Sequence, residues 1–261
     1  MSEAFTTGDG CRISYQFDGP EGAPVLLLSN SLGTDREMWA PQMAAFTHKF
    51  RVLRYDTRGH GQSDAPAGAY SLDRMGRDIV ELLDALGLEN VDFCGLSLGG
   101  MMGQWLGIYA PERVRRLVLT NTSSYMGPPA AWDARIATVK AQGMAPLAQA
   151  SAERWFTAAF RETGQDAIAP IAATLQTTDA TGYAGACAGI RDMDLRRTVA
   201  LVERPVLVIG GALDPSTPPP HSEALARTIK GAQLIMLEAA HLSNVEQPEQ
   251  FAKAVLDFLA A

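Results

Sequence analysis

With 261 residues, 47% of them hydrophobic, the chain can bury a large core, which excludes global disorder. A formal net charge of −7 argues against nucleic acid or an anionic membrane surface as the main partner. An anionic small molecule fits that field only where a local basic group receives it.

The first residues, MSEAFTTGDG, lack the basic-then-apolar layout of a signal peptide, and no apolar stretch approaches a membrane span. The three cysteines, Cys11, Cys94 and Cys187, are far apart and form neither a disulfide framework nor a CxxC metal pair. These features predict a cytoplasmic protein. Short apolar runs then recur as strand candidates: VLLLS (25–29), RVLRYD (51–56), VDFCGL (91–96), RLVLTN (116–121), PVLVIGG (205–211) and QLIMLE (233–238). SLDRMGRDIVELLDALGL (71–88) carries Leu72, Met75, Ile79, Leu82, Leu83 and Leu86 at helical spacing, with Ser71 as N-cap and Gly87 closing it. PEQFAKAVLDFLAA (248–261) opens on Pro248 and predicts a last helix. Alternating strands and helices predict an α/β fold with a mostly parallel, doubly wound sheet.

The alternation breaks between about Ser123 and Leu201, where PPAAWDARIATVKAQG (128–143) and ASAERWFTAAFR (150–161) are helical and no strand is evident. The expected organisation is a core of residues 1–122 and 202–261, with residues 123–201 inserted as a helical lid between two late strands.

Within CGLSLGG (94–100) one serine stands between glycines, directly after a strand and before MMGQWLGIYA (101–110), which can run as a helix. A strand, a sharp turn and a helix are the context of a nucleophile elbow, and bulky residues beside the serine would collide with strand or helix. A glycine-rich turn without chemistry is the plain alternative. A phosphate cradle fails, because neither the lysine of a P-loop nor GxGxxG at the first strand is present.

A serine hydroxyl needs a base, and imidazole suits that role near neutral pH. Of the four histidines, His48 lies in polar THKFR, His60 in a loop it would hold by hydrogen bonds, and His221 after TPPP at the start of a surface helix. His241 follows the last strand, where its loop would overhang Ser97, and is the candidate base. Asp214, just past strand 205–211, is the candidate carboxylate that fixes the imidazole. The other position for an acid, after strand 116–121, carries Asn121, Thr122 and Ser123. The order Ser97, Asp214, His241 is that of α/β-hydrolases. The oxyanion hole then falls to two backbone N–H groups, of Leu98 and, in SNSLGTD, of Leu32. No metal or organic cofactor is required.

Asn30-Ser31 in SNSLGTD, RVLRYDTRGHGQS, FCGLSLGGMMGQWLG, PPAAWDARIATV, IRDMDLR and AAHLSNVEQP together resemble the bacterial 3-oxoadipate enol-lactonases, and the resemblance spans essentially the whole chain, insertion included. It implies hydrolysis of an anionic lactone to 3-oxoadipate, late in the breakdown of protocatechuate or catechol. The substrate carboxylate would need a cation in the lid: Arg135 first, Arg191 second, unless each merely pairs with neighbouring aspartates. Trp132 and Trp155 either line the pocket or form lid core; Asn30 and Ser31 either touch substrate or brace their loop. Competing readings are a broad esterase or another lactonase on the same triad, a C–C bond hydrolase, and a slow-turnover small-molecule receptor.

Overall fold

Leucine- and valine-rich runs, most of them buried, form the centre of one eight-stranded sheet in a computed structural model that describes residues 3–260. Met1, Ser2 and Ala261, which fall at the ends of segments read above, lie outside the described residues. The strands are β1 (Glu3–Thr6), β2 (Arg12–Asp18), β3 (Val25–Ser29), β4 (Arg51–Tyr55), β5 (Val91–Leu96), β6 (Val114–Thr120), β7 (Val206–Gly211) and β8 (Gln233–Leu237). Their order is β1-β2-β4-β3-β5-β6-β7-β8. β1 and β4 each pair with β2 antiparallel, and every other pairing is parallel.

The six expected strands are β3 to β8. β1 and β2 were not read from the sequence. β2 nonetheless alternates polar Arg12, Ser14, Gln16 and Asp18 with apolar Ile13, Tyr15 and Phe17, the period-two pattern of a strand. β1 is a four-residue edge strand, largely exposed, with no run long enough to register as periodic.

The helices are α1 (Ala40–Phe46), α2 (Leu72–Ala85), α3 (Leu98–Tyr109), α4 (Pro129–Gln142), α5 (Ala145–Trp155), α6 (Ala158–Thr163), α7 (Gln165–Thr177), α8 (Ala180–Asp192), α9 (Pro219–Thr228), α10 (Ser243–Glu246) and α11 (Pro248–Ala260). In α2 the Ser71 hydroxyl accepts from Arg74 N–H, and Leu72, Met75, Ile79, Leu82 and Leu83 face the core. Helices α4 to α8 fill the stretch between β6 and β7, and among the described residues that stretch adds no strand to the sheet. Its two ends are joined where Leu195 N–H donates to the Ser124 carbonyl (2.8 Å) and Tyr125 bridges Asp194. The single helix expected over 150–161 is broken. α5 ends at Trp155, Phe156 is extended (φ −134°, ψ 144°), and the Thr157 side chain caps α6 by accepting from Phe160 N–H.

The loop after β4 meets the insertion at a backbone contact: a Cβ on Gly59 or Gly182 would overlap the other residue's backbone. His60, in that loop, is fully buried; its Nδ1 lies 3.2 Å from the Arg58 carbonyl, and its Nε2 has no partner. Burial, opposed only weakly by that hydrogen bond, depresses its pKa from 6.5 to about 4. The fold therefore keeps His60 neutral while the unfolded chain takes up a proton as the pH falls through 6.5, so stability is lost between there and about pH 4. His60→Gln should reduce the drop in unfolding free energy from about pH 7 to about pH 5 by about 2 kcal/mol, measured by urea titration. An unchanged drop would contradict a neutral buried His60.

Candidate active site

The parallel strands deliver Asn30, Ser97, Asn121, Asp214 and His241 to one edge of the sheet, each just past the C-terminal end of β3, β5, β6, β7 and β8 respectively. Ser97 sits at φ 58°, ψ −112°, in the left-handed half of backbone space that a residue with a Cβ rarely occupies. A Cβ on Gly95 would overlap the Gly99 carbonyl, and one on Gly99 would overlap the Ser29 carbonyl. The flanking glycines are therefore required by close backbone approach on both sides of the serine. Ser97 N–H donates to the Thr120 carbonyl (2.9 Å), and the Thr122 hydroxyl donates to the Ser97 carbonyl (2.7 Å), which pins the turn to β6.

Asp214 and His241 meet across the ends of β7 and β8, with Nδ1 and Oδ2 2.8 Å apart. Oδ2 also accepts from Asn121 Nδ2 (3.0 Å) and the Thr217 hydroxyl (2.7 Å). Oδ1 accepts from the backbone N–H groups of Ser216 (2.7 Å) and Thr217 (3.0 Å). Burial pushes the Asp214 carboxyl up, but the His241 charge and the hydrogen bonds from His241, Asn121 and Thr217 outweigh it and hold its pKa below the ordinary carboxylate value. An ionised carboxylate on Nδ1 leaves Nε2 as the free face of the imidazole. The Ser97 hydroxyl makes no hydrogen bond among the described residues; such contacts commonly tighten only when substrate arrives.

Asn121 was read from the sequence only as the site of a missing acid. It holds the constellation together instead. Its Nδ2 donates to Asp214 and to the Ala240 carbonyl (3.1 Å), and its Oδ1 accepts from the Ser243 hydroxyl (2.6 Å). It adopts φ 42°, a conformation asparagine tolerates better than most residues.

Ser97 and His241 line one cavity of about 220 Å³ with Ser31, Leu32, Met101, Met126, Trp132, Arg135, Ser151, Arg154, Trp155, Tyr183, Ile190, Pro215, Ser216 and Thr217. The backbone N–H groups of Leu32 and Leu98 have no acceptor among the described residues, and that of Leu98 opens α3, where the helix dipole favours negative charge. Arg135 stacks on the Trp132 ring, its guanidinium carbon 4.8 Å from the ring centroid. Arg154, half-buried, was not singled out from the sequence. It donates to the Ser151 hydroxyl (3.1 Å), and burial followed by the charge of Arg135 pushes its pKa down. Neither arginine has a carboxylate partner among the described residues. A cavity lined by two guanidinium groups, neither of them salt-bridged among the described residues, has the chemistry of an anion site.

Two expectations are corrected. Arg191 does not reach the cavity: it binds Asp133 (2.8 Å) and Asp192 (2.7 Å) on the surface, because its charge has nearer partners. Asn30 does not line the cavity either; buried, it accepts from Trp39 Nε1 (3.0 Å) and donates to the Tyr55 carbonyl (3.0 Å), bracing the loop after β3. Ser31 does line it. Among the described residues, no group of three or more His, Cys, Asp and Glu side chains is placed to hold a metal ion, and no helix is long and apolar enough to cross a membrane.

The family model described as alpha/beta hydrolase fold matches residues 24–248. The chain belongs to that family. This hydrolase is 42% identical, over 95% of its length and 93% of the relative's, to 3-oxoadipate enol-lactonase 2 of Acinetobacter baylyi. It superposes with a TM-score of 0.97 on the enol-lactonase of Burkholderia xenovorans, at 41% identity, covering 99% of this chain and 100% of that one. A hydrolase from Pseudomonas aeruginosa is similar at 49% identity and a TM-score of 0.97, covering 100% of this chain and 98% of that one.

Asn121→Ala should lower kcat for ester hydrolysis by roughly 10- to 100-fold with little change in KM, the cost of losing a hydrogen bond to a charged group. Asn121→Asp should cost more at neutral pH, because a second carboxylate would face Asp214. Steady-state kinetics on a chromogenic ester check both.

Proposed function

We propose that the enzyme hydrolyses 3-oxoadipate enol-lactone to 3-oxoadipate, with Ser97 as nucleophile, His241 as general base and acid, and Asp214 as the group that orients and stabilises the imidazole. The observation that carries the substrate class is the pair Arg135 and Arg154, without carboxylate partners among the described residues, in the cavity that holds Ser97 and His241. An acidic protein with a net charge of −7 that places two cations there has a site for a small anion. The similarity to enol-lactonases over nearly the full chain supports the same reading.

In the first half of the reaction, Ser97 Oγ attacks the lactone carbonyl while His241 Nε2 takes its proton. The N–H groups of Leu32 and Leu98 hold the resulting oxyanion, each contributing roughly 3 kcal/mol of transition-state stabilisation. Collapse breaks the ring C–O bond and expels an enolate oxygen, which receives the proton from His241 and rearranges to the ketone. The product stays attached as an acyl-enzyme until water, deprotonated by His241, attacks the ester; the acyl C–Oγ bond then breaks and His241 returns the proton to Ser97 Oγ. A resonance-stabilised leaving group and a main-chain oxyanion hole make a metal or organic cofactor unnecessary.

Residues 123–201 act as the lid over a core formed by residues 1–122 and 202–261, and they supply the anion site through Arg135 and Arg154, with Trp132 and Trp155 walling the ring. The reaction belongs to the breakdown of aromatic compounds through 3-oxoadipate.

Arg135→Ala should raise KM for the enol-lactone by roughly 10- to 100-fold, the worth of a charge-assisted hydrogen bond, and far more than it raises KM for a neutral aryl ester. Equal effects on both substrates would contradict a carboxylate at Arg135.

A further inference from the structure

The backbone on both sides of His241 is tied to the helical insertion. Leu242 N–H donates to the Trp155 carbonyl (3.0 Å), an acceptor left free at the C-terminal end of α5. On the other side, Ala240 N–H donates to Glu246 Oε2 (3.0 Å). The same carboxylate accepts the Thr157 N–H (3.3 Å) and the Thr157 hydroxyl. Glu246 is buried, and among the described residues it pairs with no cation, so these three donors compensate it.

Trp155, Phe156 and Thr157 are the break between α5 and α6, and Arg154 immediately precedes it with its side chain in the cavity. Phe156 anchors the break: it is 1% exposed, and its ring lies 5.6 Å from that of Phe160. Arg154 is therefore joined to the loop that bears His241 through Trp155, the last residue of α5, and the two cap residues Phe156 and Thr157.

We propose that this break couples the anion site to His241, with Thr157 and Glu246 as positioning residues. A substrate carboxylate held by Arg154 fixes residues 154–157, and through the Trp155 carbonyl and the Glu246 carboxylate it fixes Ala240 and Leu242. The proposal rests on the enol-lactone reading above. Its consequence is that carboxylate binding is realised as kcat as well as KM: binding energy from a part of the substrate remote from the reacting carbonyl aligns the base.

A double-mutant cycle on the full chain tests this, with kcat and KM for the enol-lactone measured separately in wild type, Arg154→Ala, Thr157→Val and the double variant. Arg154→Ala should lower kcat about tenfold in the wild-type background and by a clearly smaller factor, about threefold, in the Thr157→Val background, where the hydroxyl tie to Glu246 is lost while the Thr157 N–H and Trp155 carbonyl ties remain. Thr157→Ser, which keeps both donors, should restore the wild-type dependence on Arg154. If Thr157→Val does not fold, Glu246→Gln closes the same cycle by removing one of the two carboxylate acceptors. Equal kcat factors in both backgrounds, or a change confined to KM, would overturn the coupling while leaving the enol-lactone reading intact. Wild type that leaves the enol-lactone untouched while cleaving an aryl ester would overturn the substrate reading and the coupling with it.

Discussion

The left-handed backbone of Ser97 is the constraint on which the site depends. A side-chain-bearing residue at φ 58°, ψ −112° costs about 1–3 kcal/mol and persists only where its surroundings hold it. They do so from three directions. Gly95 and Gly99 let strand β5 and helix α3 pass without collision, and the Gly99 N–H donates to the Asn30 carbonyl (3.0 Å). The Thr120 carbonyl and the Thr122 hydroxyl clamp the serine's own peptide groups to β6. The next residue along that strand end, Asn121, reaches Asp214 and the Ala240 carbonyl. The strained residue is thus hydrogen-bonded to the end of β6, and Gly99 and Asn121 extend that network to the ends of β3, β7 and β8, so that His241 and Ser97 are positioned by one set of contacts.

Electrostatics divides the molecule in the same way. The exterior is acidic, and many of its arginines are matched to carboxylates, such as Arg77 with Asp73 (2.9 Å) and Arg191 with Asp133 (2.8 Å). In the cavity the matching stops. Arg154 carries a desolvation cost and the repulsion of Arg135, which Tyr183 and Glu153 offset only in part, and an arginine held that way without a salt-bridged carboxylate would be completed by the anionic substrate proposed above. The negative charge of the site lies outside the cavity lining, on Asp214, where His241 and the surrounding donors hold it. The substrate's charge and its reacting carbonyl therefore have different destinations.

Much of this was legible in the sequence, for physical reasons that differ by element. Parallel strands covered by helices need continuous apolar runs, so β3 to β7 stand out, and the edge strand β8 keeps such a run although it is partly exposed; β2, half-buried at the antiparallel end, announces itself only by the weaker alternation of Arg12 through Asp18. The elbow is legible because only glycine fits beside it. Asp214 and His241 are legible because function in this fold collects at the C-terminal ends of strands. Arg154 was not, since a lid arginine beside Glu153 looks the same in sequence whether its side chain turns to solvent or to the cavity. For Arg191 the pairing with the adjacent Asp192 was legible as the alternative to a substrate contact, whereas its pairing with Asp133 spans 58 positions and exists only once α4 and α8 are packed together. Asn121 shows the remaining limit. Its three side-chain partners, Asp214, Ala240 and Ser243, are all distant in sequence, so no local pattern marks it.

The most direct test of the central claim is the loss of the enol-lactone's ultraviolet absorbance, followed with wild type and Ser97→Ala side by side. Wild type should consume micromolar lactone rapidly, and the variant should be slower by a factor on the order of 1,000 or more, retaining only what the oxyanion hole and binding contribute. A Ser97→Ala enzyme that opens the lactone at the wild-type rate would contradict nucleophilic attack by Ser97.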